Sequence, residues 1–86
     1  LGVEYPELAL RQMRARWGSC AVNEGKITLN KRLIHVPQEC IDYVTAHELT
    51  HFLEPNHSAN FYRVLDNVRP SWRMEREKLA QYTCQK

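Results

Sequence analysis

Pro37-Gln38-Glu39-Cys40-Ile41-Asp42-Tyr43-Val44-Thr45-Ala46-His47-Glu48-Leu49-Thr50-His51-Phe52-Leu53-Glu54-Pro55 is the stretch on which the fold turns. Pro37 suits the opening of a helix, where its missing N–H costs nothing, and Glu39 and Asp42 favour the positive end of the helix dipole. Pro55 closes the segment by pushing the preceding residue out of helical geometry, so the helix is expected to end near Leu53 or Glu54. On a wheel of about 100° per residue, Ile41, Thr45, Leu49, Phe52 and Leu53 form the expected core stripe, with Tyr43 and Thr50 in the solvent-facing centre. His47 and His51 flank the stripe about 40° apart, and Glu48 lies nearer the apolar side.

Working towards the N-terminus, Leu8 to Trp17 partly alternates, with Met13, Ala15 and Trp17 on one face, and reads as a half-buried strand. Gly18-Ser19-Cys20 and Asn23-Glu24-Gly25 read as turns, and Lys26 to Asn30 as a second strand with Ile27 and Leu29 inward. The two strands are expected to pair as an antiparallel hairpin. Towards the C-terminus, Ser58 is a plausible cap for a helix carrying Phe61, Val64, Leu65 and Val68. Pro70 breaks that helix, and Ser71 caps a last one running towards Cys84, with Trp72, Leu79 and Tyr82 inward. Strands followed by three helices make an α+β layout.

At 86 residues the chain is expected to be one domain, residues 1–86, too short to feed a second core. A bound metal would add noticeably to so small a fold. The chain opens on Leu1, which reads as a domain excised from a longer chain, so a targeting segment would not be seen. Hydrophobic residues make up 43% and no apolar run is long enough for a membrane span. Cys20, Cys40 and Cys84 are odd in number and widely spaced, as expected of reduced thiols in the cytoplasm.

The net charge of +2 is unevenly spread. Residues 37–60 carry four acidic groups and no Lys or Arg, while the flanks carry six basic groups each. Arg11, Arg14, Arg16, Arg63, Arg69, Arg73 and Arg76 either form a solvated surface or gather into a face for nucleic acid, the first being the expectation. Nothing in the sequence specifies an oligomeric state.

His47-Glu48-Leu49-Thr50-His51 matches H-E-x-x-H, in which two imidazoles one turn apart reach one zinc ion and the glutamate moves protons. A catalytic zinc needs a third protein ligand, and His57, six residues beyond His51 and after a Pro55-Asn56 turn, is the expected one. The metzincin pattern has the same spacing, with glycine where Glu54 stands. Asp66 and Glu75 are the alternatives, His57 then serving only to start the next helix. His35 and Cys20 lack placed partners and read as packing or surface residues; Met74 falls in a charged helix, and Trp17 and Trp72 read as core.

Together, Arg16-Trp17-Gly18-Ser19-Cys20, Gly25, Ile27 to Asn30, Leu33, Pro37, Ile41 to Val44, the H-E-x-x-H, Asn56-His57-Ser58 and Phe61 resemble the YgjP-like metallopeptidase domain from about residue 13 to Trp72. SprT-like proteases are similar in plan but do not usually pair R-W-G-S-C with N-H-S. The resemblance implies a minimal zincin with metal ligands at His47, His51 and His57 and a peptide or protein substrate. Tyr62 stands where that family often has tryptophan. The expected activity is zinc-dependent hydrolysis with Glu48 as general base. A zinc-binding module without turnover, possible in association with nucleic acid, is the alternative. Lys26 to Asn30, as an open sheet edge, would align the peptide.

Overall fold

Residues 6–54 and 58–82, as described by a computed structural model, form a three-stranded sheet followed by three helices, the α+β layout expected. The strands are β1 (Glu7–Arg11), β2 (Gly18–Ala21) and β3 (Lys26–Asn30), and the helices are α1 (Gln38–Leu53), α2 (Ala59–Val68) and α3 (Trp72–Leu79). The sheet order is β1-β3-β2.

The sheet departs from the expected hairpin in three ways. The strand expected over Leu8 to Trp17 is confined to Glu7–Arg11 and pairs with β3 in parallel. Gly18-Ser19-Cys20, read as a turn, forms most of β2, which is the antiparallel partner of β3. β3 is consequently the central strand and offers no open edge; the edge lying against α1 belongs to β2. Long-range pairing explains the difference. Asn30 donates its backbone N–H to the Trp17 carbonyl at 2.9 Å, which starts the β2–β3 ladder just where the local turn signal is strongest. The reversal itself is a 3₁₀ turn over Val22–Glu24 ended by Gly25 at φ 63°, a left-handed conformation that glycine adopts freely.

Asn30 fastens the preceding connection. It is fully buried, donates from Nδ2 to the carbonyls of Arg16 (2.7 Å) and Met13 (3.1 Å), and accepts the Arg32 N–H at 3.0 Å. A second 3₁₀ turn over Lys31–His35 leads into α1, leaving His35 exposed.

Pro37 precedes α1, and the helix ends at Leu53 as expected. Its buried face differs from the expected stripe: Tyr43 and Thr50 are buried, whereas Leu49 and Leu53 are 37% and 57% exposed. The helix is covered on two sides, by β2 and β3 and by α2 and α3, so its inward arc runs through Cys40, Val44 and His47. Thr50 can be buried because its hydroxyl donates to the Ala46 carbonyl at 2.7 Å within the helix.

Ser58 caps α2, its hydroxyl accepting the Phe61 N–H at 3.4 Å, and α2 inserts Phe61 and Leu65 into the core while Val68 stays exposed. Trp72 and Leu79 of α3 complete the core; Tyr82 is exposed, and α3 stops short of Cys84, which lies outside the described residues. Ser71 precedes α3, but its hydroxyl donates to Glu75 at 2.6 Å instead of capping the backbone. Cys20 and Cys40 are unbridged. Among the described residues no helix is long and apolar enough to cross a membrane.

Candidate active site

The H-E-x-x-H segment occupies the last two turns of α1, facing β2. The helical rise brings the His47 and His51 rings to a centroid separation of 4.8 Å at 75° to each other. Phe61, wholly buried, packs on both rings, at 5.3 Å from His47 and 4.8 Å from His51, and Tyr43 lies 5.8 Å from His47. Two imidazoles fixed side by side by aromatic packing are a nitrogen donor pair that fits a borderline-soft divalent metal.

Glu48 is 7% exposed, and burial pushes its carboxyl pKa up to about 7, against a smaller downward pull from the Arg16 guanidinium. Gly18 makes room for it. A Cβ at residue 18 would lie 3.2 Å from Glu48 Cγ, 3.1 Å from Val44 Cγ1 and 3.2 Å from the Thr28 carbonyl oxygen. Side chains alternate along β2, so Cys20 shares the helix-facing side with Gly18. Burial and the Glu48 carboxylate raise its thiol pKa, which suits a packing role and not a nucleophile.

Two cavities meet at Glu48. One, of about 520 Å³, is lined by Ser19, Cys20, Val22 and His51, and the other, of about 360 Å³, by Trp17, Tyr43, Val44, Arg76 and Leu79. Arg16, Gly18, His47 and Glu48 border both, so His47 and Glu48 stand between two adjoining cavities.

His47, Glu48 and His51 are thus together. His57 lies outside the described residues, and among the described residues no three His, Cys, Asp or Glu side chains form a metal-holding group. The alternatives are engaged elsewhere: Asp66 accepts from Trp72 Nε1 at 2.7 Å, and Glu75 accepts from Arg69 at 2.9 and 3.0 Å. Two of the seven arginines weighed for a nucleic-acid face are engaged in ion pairs. Arg69 pairs with Glu75 and Asp42, and Arg73 with Asp66. Sequence reasoning gave Arg16, Gly18, Asn30 and Phe61 no part in the site, although all four stand in the resembling motifs.

The model of the YgjP-like metallopeptidase domain matches residues 1–82, further in both directions than the motifs alone indicate. Two solved structures share the fold. The metallopeptidase zymogen abylysin of Pyrococcus abyssi aligns with a TM-score of 0.78 at 23% identity, covering 92% of this chain and 76% of that one. The metallopeptidase zymogen jannalysin of Methanocaldococcus jannaschii aligns with a TM-score of 0.77 at 24% identity, covering 91% and 80%. No curated protein matches the sequence. With nearly the whole chain matched and a cleft centred on the H-E-x-x-H residues, the chain belongs to the YgjP-like metallopeptidase family.

Proposed function

We propose that the chain hydrolyses peptide bonds with a zinc ion held by His47, His51 and His57 and with Glu48 as the proton carrier. The observation that carries the reading is the juxtaposition of the paired imidazoles with a buried carboxyl at the centre of an open cleft. When bound, zinc supplies Lewis acidity, lowering the pKa of water towards 7 and polarising a carbonyl. Glu48 takes the proton of the attacking water on its carboxylate and delivers it to the leaving amine. A carboxyl whose burial raises its pKa is suited to both halves of that transfer near neutral pH.

The open edge of β2 aligns the substrate in place of the β3 edge expected from sequence. Trp17 and Asn30 form a hydrogen-bonded pair, so by antiparallel alternation the N–H and C=O groups of Gly18 and Cys20 face away from β3. An extended peptide pairing there lies over Glu48.

The test is metal analysis of the purified protein together with digestion of a mixed peptide library. One zinc per chain, lost in His57→Ala, and cleavage lost in Glu48→Gln with zinc retained are the expected results. Zinc that survives His57→Ala would show a different third ligand, and cleavage that survives Glu48→Gln would remove the general base.

A further inference from the structure

The smaller cavity beside Glu48 carries two cations, Arg16, which also pulls on the Glu48 carboxyl, and Arg76, to which the proposed chemistry gives no part. Its floor is apolar, made by Trp17, Tyr43, Val44 and Leu79, and Arg16 and Arg76 border it. Among the described residues neither arginine has a carboxylate within salt-bridge distance, whereas Arg69 has two and Arg73 and Lys78 have one each. Arg76 is held with its guanidinium 5.0 Å over the Trp72 ring, which in turn stacks on Tyr43. A guanidinium on an aromatic face keeps its fork of donors available to a planar anion. At about 360 Å³ the space suits one residue of a substrate more than an extended chain.

We propose that this cavity is a substrate subsite for a carboxylate-bearing residue, with Arg16 and Arg76 taking the carboxylate and the apolar floor taking its methylenes. The inference rests on the peptidase reading, because His47 and Glu48 themselves border this cavity. The carboxylate can be an Asp or Glu side chain or the free C-terminus of a peptide. Those two sources predict different cleavage, internal in the first case and terminal in the second.

The experiment separates this inference from the peptidase reading by measuring binding without turnover. The protein is titrated with N-acetylglutamate α-amide (side-chain carboxylate), N-acetylglutamine (α-carboxylate) and N-acetylglutamine α-amide (neutral), and backbone amide NMR shifts are followed. One anion is expected to bind at least about tenfold more tightly than the neutral compound, shifting Gly18 and Ala80. The anion that does so names the source. Arg76→Gln is expected to remove the preference, and in peptide hydrolysis to raise KM for carboxylate-bearing substrates about tenfold with kcat unchanged. Equal binding of all three compounds, or a preference that survives Arg76→Gln, overturns the subsite. Anion binding without hydrolysis of any peptide leaves the subsite standing and overturns the peptidase reading instead.

Discussion

Gly18 leaves the space that Glu48 needs: any Cβ on the glycine would stand 3.2 Å from the glutamate Cγ. The neighbouring Thr28 carbonyl, also at 3.2 Å, belongs to the central strand and cannot swing aside. Gly18→Ala is therefore expected to displace Glu48 and to cost about 1–3 kcal/mol in stability. Hydrolysis should fall by more than tenfold while zinc content is retained, because both imidazoles sit beyond the clash. Activity and metal analysis on the same preparation check this.

Glu48 makes the metal-free protein sensitive to pH. Its ordinary pKa is 4.5, and in the fold it is about 7, so between those values the native state holds a proton that the unfolded chain has released. Stability of the metal-free protein is thus expected to fall as pH rises from 4.5 to 7 and then level off. Glu48→Gln removes the effect. The metal-free variant should exceed the parent by up to about 3 kcal/mol above pH 7, with the gain vanishing below about pH 4.5. Urea titrations at pH 4.5, 6 and 8 measure it. With a cation beside it the carboxyl titrates lower, placing the acid limb of kcat/KM below pH 7.

Asn30 holds the segment that carries Arg16 and Gly18. Asn30→Ala leaves two carbonyls without their donor and is expected to cost about 2 kcal/mol or more, lowering Tm by about 10 °C. Asn30→Asp keeps the acceptor for the Arg32 N–H but sets a carboxylate against those carbonyls. Its loss should be at least as large at pH 7 and smaller at low pH, where the acid regains one donor. Calorimetry across pH decides.

Glu75 is buried and bound by Arg69 and Ser71, which makes it a stabilising residue and not a metal ligand. Glu75→Ala strands the partly buried Arg69 and is expected to cost about 3 kcal/mol, more than 10 °C in Tm. Zinc stoichiometry at low temperature should not change. A folded Glu75→Ala protein without zinc would reverse this assignment.

The bounds of α1, the start of α2 and the placing of His47 and His51 side by side were legible because proline punctuation, a serine cap and a four-residue histidine spacing are local signals. Ser58 and Pro37 act on their own neighbours, and so do His47 and His51. The sheet was less legible. Gly18 looks like a turn until α1 approaches it, and β1 pairs in parallel with a strand fifteen or more residues on, a contact no local pattern encodes. The buried arc of α1 was misjudged for a related reason. A helix covered on two sides buries polar residues such as Thr50 and Glu48 wherever each is satisfied or used, so apolar periodicity alone could not orient it. Arg16 and Arg76 lie far apart in sequence, and only the packing of α3 on α1 brings them to one cavity.

The order of the elements also divides the cleft by origin. Among the described residues, the larger cavity beside the imidazole pair is lined only from Arg16 to His51, one uninterrupted run of sequence joined by short turns. Such neighbours meet early when a chain folds, since little loop entropy is lost in joining them. The arginine cavity has no complete wall until α3 docks from the other end of the chain. The proposed subsite thus joins Arg16 of the first run to Arg76 and Leu79 of α3, and changes at Arg76 or Leu79 are expected to retune what is bound without disturbing the imidazoles that α1 and α2 hold in place.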